Sequence, residues 1–190
     1  MKKLSILTLS LVLSLAAGAA QAFDYTIDTK GAHAFIQFKI KHLGYSWLYG
    51  RFDDFSGDFS YDPAQPEASK VDVIINTKSI NSAHAERDKH LRGKDFLNVA
   101  KFPQASFSST SFKALGGGKF VMQGDFTLHG VTKNITIDVA EVGGGKDPWG
   151  GVRQGFTGTT TIALKDYGID YDLGPASTHV ELILDVEGIR

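Results

Sequence analysis

Apolar and polar residues alternate with a period of two along most of the chain. Ala34, Ile36, Phe38 and Ile40 interleave with Phe35, Gln37 and Lys39. Phe55, Gly57, Phe59 and Tyr61 interleave with Ser56, Asp58 and Ser60. The pattern returns at Val71, Val73 and Ile75, at Ala105 and Phe107, and through Phe120, Met122, Phe126 and Leu128. It continues at Ile135, Ile137 and Val139, from Phe156 to Ile162, and at Val180, Leu182, Leu184 and Val186. Successive side chains of a strand point to opposite faces, so each run predicts a strand with one buried face. About eight strands result. Asp62-Pro63, Gly116-Gly117-Gly118, His129-Gly130, Gly143-Gly144-Gly145 and Gly174-Pro175 are the turn signals between them. Short connections make the neighbours antiparallel, which predicts an all-β up-and-down barrel or a sandwich.

One stretch breaks the period. Residues 81–100 are polar, charged and helix-tolerant, with Asn81 or Ser82 as the expected cap and Gly93 as the stop. This predicts one or two short helices over one end of the barrel. A connection of that length in a compact β domain acts as a lid or plug.

Gly (21) and Phe (13) are both abundant. Gly57, Gly124 and Gly158 fall inside strand patterns and are expected at bulges or corners. Inward Phe side chains fill volume. An eight-stranded barrel sits between a packed interior and a cavity for one small ligand, and the pattern does not choose between them.

The N-terminus carries a different signal. Lys2 and Lys3 precede an apolar run over residues 5–18, and Ala20-Gln21-Ala22 offers small residues for processing. Residues 1–22 therefore read as a cleavable export signal cut after Ala22, with residues 23–190 as one exported β-barrel domain. The apolar run is short for a membrane span, and no Cys follows it for lipid attachment, so stable membrane insertion is not expected. Loss of the two lysines moves the net charge from −1 to −3. That near-neutral balance makes nucleic acid a poor partner. The absence of Cys removes disulfides, thiolate nucleophiles and Cys-based metal sites.

No nucleophile elbow, metalloprotease helix, P-loop or dinucleotide fingerprint is present, so no catalytic residue, cofactor or metal is assigned. The six His are scattered. His84, Glu86, Arg87, Asp88, Lys89 and His90 read as a solvated, salt-bridged helix surface, with Arg87 or His90 alternatively facing the barrel mouth toward a polar head group. Tyr45, Trp47, Leu48 and Tyr49 form a cluster of large apolar or amphipathic side chains, either a strand edge packed under the helix or a lipid-facing or ligand-facing rim. Asp147-Pro148-Trp149-Gly150-Gly151 is a second aromatic loop, either a rim loop or, the preferred reading, loop packing.

Several of these segments, taken in order, resemble the YceI family of exported bacterial lipid-binding proteins. They include Lys41-His42-Leu43-Gly44-Tyr45-Ser46-Trp47-Leu48-Tyr49-Gly50, Glu86-Arg87-Asp88-Lys89-His90-Leu91 and Phe102-Pro103-Gln104-Ala105-Ser106-Phe107. They also include Gly124-Asp125-Phe126-Thr127-Leu128-His129-Gly130 and Leu173-Gly174-Pro175-Ala176. The resemblance implies a lipocalin-like barrel with an apolar channel that binds polyisoprenoid lipids or isoprenoid quinones. It brings no catalytic set. On this reading Ile36, Phe38, Ile40, Tyr45, Trp47, Phe55, Val73, Phe107, Phe126, Phe156 and Ile162 contact the hydrocarbon. His42, Arg87 and His90 are the head-group candidates. The expected partner is an amphiphilic isoprenoid lipid, and a homodimer is left open. An enzyme acting on bound lipid and a solid-core barrel are the alternatives.

Overall fold

The computed structural model describes residues 22–190. The expected export signal, apart from Ala22, lies outside the described residues. The strands are β1 (Phe23–Ile27), β2 (Phe35–His42), β3 (Ser46–Phe52), β4 (Phe55–Tyr61), β5 (Lys70–Asn76) and β6 (Ile80–Asn81). After α1 (Ala85–Leu91), the one α-helix among the described residues, come β7 (Gln104–Gly116), β8 (Lys119–Leu128), β9 (Val131–Lys146), β10 (Val152–Ala163) and β11 (His179–Ile189).

Three long, bent strands are each interrupted once, which gives the pairs β1/β2, β3/β4 and β5/β6. Counted this way there are eight staves, every one antiparallel to the next in sequence. β11 closes the ring by pairing with β2 through residues 181–185 and with β1 at Gly188 and Ile189. The result is the eight-stranded antiparallel barrel that the alternation predicts.

Closure follows from local chemistry. The β8–β9 hairpin has a two-residue loop, His129-Gly130, with both residues at positive φ. Gly117-Gly118 make the same loop between β7 and β8. Such loops match the right-handed twist of the flanking strands. Inside, Phe rings lie directly over glycines: Phe38 over Gly50, Phe107 over Gly124 and Phe59 over Gly188. A Cβ at any of these glycines would collide with the ring, so Gly and Phe are abundant for one shared reason.

That corrects the bulge expectation. Bulges occur at Ser109/Ser111, Ala114/Gly116 and Gly155/Phe156. Gly124 pairs with Ser109 beside the first bulge, while Gly57 and Gly158 sit in regular ladder. Gly143-Gly144-Gly145 is not a turn either. β9 runs straight through it, and the Gln154 side chain lies across Gly144, donating to the Glu141 carboxylate (2.9 Å) and to the Gly143 carbonyl (3.2 Å).

One helix, not two, caps the barrel. His84 caps it instead of Asn81 or Ser82, its Nδ1 accepting from the Arg87 N–H at 3.3 Å. Ser82 is occupied differently. Its N–H and hydroxyl both donate to the buried Asp88 carboxylate (2.8 and 2.5 Å). The expected salt-bridged helix surface is therefore replaced by a network centred on Ser82, and among the described residues only His90 of its basic side chains finds a carboxylate, that of Asp95. The segment after α1 is tied to the barrel by Arg92, which donates to the carbonyls of Lys78 and Ile80, and by Thr77, which donates to the Phe102 carbonyl.

Candidate ligand-binding channel

The barrel is hollow. Inward residues fall into two groups along each strand. Toward the α1 end, Phe38, Ile40, Leu48, Ala105, Leu128, Ile162, Val180 and Leu182 surround a cavity of about 400 Å³. Farther in, Ile36, Phe55, Val73, Phe107, Met122, Ile137, Phe156 and Leu184 surround a second cavity of about 120 Å³. Four side chains, Phe52, Ile75, Phe126 and Leu182, line both, and so form a waist between an outer and an inner chamber. Val180, Leu182, Leu184 and Val186 point inward yet keep accessible surface, as residues around an unfilled space must.

The lid comes from the end of α1 and the irregular chain after it. Leu91, Phe96 and Leu97 close over the outer chamber. His90 meets the Phe96 ring edge-on (4.9 Å) and the Tyr171 ring edge-on (5.3 Å), which joins the α1 segment to the loop preceding β11. Phe96, Leu97, Ile169, Tyr171 and Leu173 line the chamber but carry no periodic signal, so sequence reasoning misses them. It also misses Leu48, Phe52, Leu128, Leu182 and Leu184 as wall residues, although strand parity marks them as inward.

The proposed hydrocarbon contacts divide accordingly. Phe38, Ile40 and Ile162 line the outer chamber. Ile36, Phe55, Val73, Phe107 and Phe156 line the inner one, and Phe126 lines both. Tyr45 does not belong with them: it stands at the tip of the β2–β3 hairpin, 87% exposed, and lines neither chamber. Trp47 is on the outward face of β3 and lines a separate recess of about 310 Å³ beside the mouth. The three head-group candidates all reach the outer chamber, and His42 and Arg87 also line the recess. Trp149, expected to pack, is 81% exposed, with the Arg153 guanidinium 5.7 Å above its ring.

Charge is concentrated at the other end. Arg153 donates to Asp28 (2.8 Å), Asp147 (2.9 Å) and Glu187. The His33 and Arg153 hydrogen bonds hold the Asp28 carboxyl at about 2, well below its ordinary value. Asp28, His33 and Glu187 bring three ligand-type atoms within 4.8 Å of one another. Arg153 already bonds both carboxylates, so the cluster is an ion-pair network that ties β1, β10 and β11 together, and it lies beyond the inner chamber.

A closed antiparallel barrel with an apolar two-chamber lumen under a helical lid is a lipocalin-like architecture. The chain belongs to the YceI family: the YceI-like domain matches residues 25–188. A UPF0312 protein of Shewanella putrefaciens (strain CN-32) is 60% identical over 190 residues, covering all of both chains. A UPF0312 protein of Shewanella baltica (strain OS185) is 62% identical over 176 residues, 93% of this chain and 92% of the relative. The crystal structure of the Campylobacter jejuni YCEI protein superposes with a TM-score of 0.73 at 32% identity, covering 80% of this chain and 90% of that one. A polyisoprenoid binding domain from Saccharophagus degradans shares the fold, with a TM-score of 0.61 at 17% identity over 86% of this chain and 97% of that one.

Proposed function

We propose that the protein is an exported, non-catalytic binding protein. It holds one isoprenoid lipid or isoprenoid quinone in the lumen, for carriage or storage in the periplasm. The observation that carries this reading is the outer chamber of about 400 Å³, walled almost wholly by apolar side chains. Its size lies in the usual range for small-molecule sites. Its wall is apolar and it opens toward the lid, so a hydrocarbon can enter it and be shielded from water.

The energetics of loading agree. Burying ~15 carbons at ~0.8 kcal/mol each gives ~12 kcal/mol gross, from which ordering and association costs are subtracted. Tight binding needs no ion pair. The Saccharophagus degradans domain is a polyisoprenoid binding domain, and the shared fold supports a ligand of the same kind here. The export signal read from residues 1–22 supports a periplasmic location. Release would follow displacement of the α1 segment, since Leu91, Phe96 and Leu97 cover the mouth.

Native mass spectrometry and solvent extraction of the protein, purified from an exporting bacterial host without detergent, test this. The expected result is a one-to-one adduct that extracts as an isoprenoid. Protein that emerges empty and takes up no added isoprenoid would overturn the proposal.

A further inference from the structure

We infer that the outer face of the β2–β3 hairpin docks the mouth of the barrel on an anionic lipid bilayer, where the isoprenoid enters and leaves. This rests on the lipid-binding reading above. The register pairs Lys39 with Tyr49 and Lys41 with Trp47. Phe38, Ile40 and Leu48 take the inward phase, so these four residues share the outward face. Trp47 and Tyr49 are exposed there, and Leu43 and Tyr45 carry the apolar surface on to the tip. Leu43 also lines the outer chamber, which makes the patch continuous with the mouth. The Ser177 hydroxyl donates to the Lys41 carbonyl (2.6 Å) and braces the hairpin against the loop preceding β11.

Charge and shape name the occupant. The Lys39 and Lys41 ammonium groups lie 5.0 and 5.6 Å from the centre of the Trp47 ring. Lys39 also meets Glu181 (2.9 Å), while no carboxylate of the described residues lies within 4.0 Å of Lys41. The hairpin therefore presents local positive charge on a chain whose net charge is negative. The cores of protein interfaces are depleted of Lys, which argues against a protein partner. A bilayer surface favours the combination. Tyr and Trp rings settle at the head-group level, and Lys stems lie along apolar surface while their ammonium groups reach the lipid phosphates. The protruding Tyr45 tip enters a deformable head-group layer without needing a matching cavity. Trp149 makes the contrast. It is exposed at the opposite end of the barrel, and the cation beside it, Arg153, is already committed to Asp28, Asp147 and Glu187. With the hairpin seated, a tail leaving the chamber past Leu43 passes into hydrocarbon instead of water.

Vesicles of phosphatidylcholine, with and without about a third phosphatidylglycerol, test this, with acyl-brominated phospholipid as the quencher. Trp149→Phe leaves Trp47 as the reporter, and Trp47→Tyr leaves Trp149. On the anionic vesicles Trp47 emission is expected to shift to the blue and be quenched, while Trp149 emission stays unaltered. Tyr45→Ser combined with Tyr49→Ser should weaken vesicle binding about tenfold or more. Lys41→Gln should weaken it about fivefold, on the anionic vesicles alone. Neither tyrosine lines a chamber, so the double variant should keep the affinity of the unaltered protein for geranylgeraniol in solution. Trp47 emission that ignores vesicles, or Trp149 quenched as strongly, would overturn the docking face, and geranylgeraniol binding would leave the channel standing. Unaltered protein that docks on vesicles yet takes up no geranylgeraniol would instead overturn the lipid-binding reading. Trp47 emission that shifts with protein concentration and not with vesicles would replace the bilayer with a second copy of this chain.

Discussion

Phe126→Ala should lower stability by about 3–5 kcal/mol, the usual cost of deleting a buried aromatic ring. Phe126 is buried and packs edge-on against Tyr167 at 5.6 Å. It also forms part of the waist between the chambers. For a domain of this size the expected fall in Tm is about 6–20 °C. The same change widens the waist between the chambers, so affinity should move toward longer isoprenoid chains. A saturating long ligand should restore part of the lost Tm, because it binds only the folded state. Thermal melts with and without isoprenoids of graded length check both parts. An unaltered Tm, or a loss with no change in length preference, would mean that Phe126 does not stand between two chambers.

Ala105→Phe should act in the opposite sense on stability. Ala105 is buried on β7, opposite Ile75, and its side chain meets the outer chamber. A phenyl ring there occupies space that otherwise holds hydrocarbon, so lipid affinity should drop at least about tenfold. The ring gains packing partners in the process, so the lipid-free Tm should hold or rise. Stability kept while binding is lost is the signature of a filled cavity. A destabilised variant that still takes up lipid at full affinity would show instead that the site was already packed.

Much of the barrel was legible because period two is a backbone property that survives any choice of apolar side chain. Phe120, Met122, Phe126 and Leu128 are buried on one face of β8, as their spacing requires. His129-Gly130 marked its hairpin for a stated reason, the positive φ of both positions. Gly143-Gly144-Gly145 misled because a glycine run serves a turn and a strand covered by a neighbour's side chain equally well. Only the place of Gln154 tells them apart. The helix cap went to His84 because Asp88 drew Ser82 away, a tertiary choice with no local signature.

The site was legible in its walls and not in its hollowness. Parity put Ile36, Phe38, Phe55, Val73 and Phe107 on the inner face, yet a packed lumen has the same alternation. The lid residues Phe96, Leu97 and Tyr171 stand in irregular chain, where no period exists to find them. Tyr45 and Trp47 were misjudged although a signal was present. In β3 the inward phase belongs to Leu48, Gly50 and Phe52, which sends Trp47 and Tyr49 outward.

The function proposed for this barrel depends on a lumen that its own side chains leave open to a long hydrocarbon. Crystallography of the protein purified without delipidation tests that most directly. The expected result is a tube of electron density running from beside His42, between Phe52 and Phe126, to Phe156. Side chains meeting across the lumen along its length, with no space for a ligand, would contradict it.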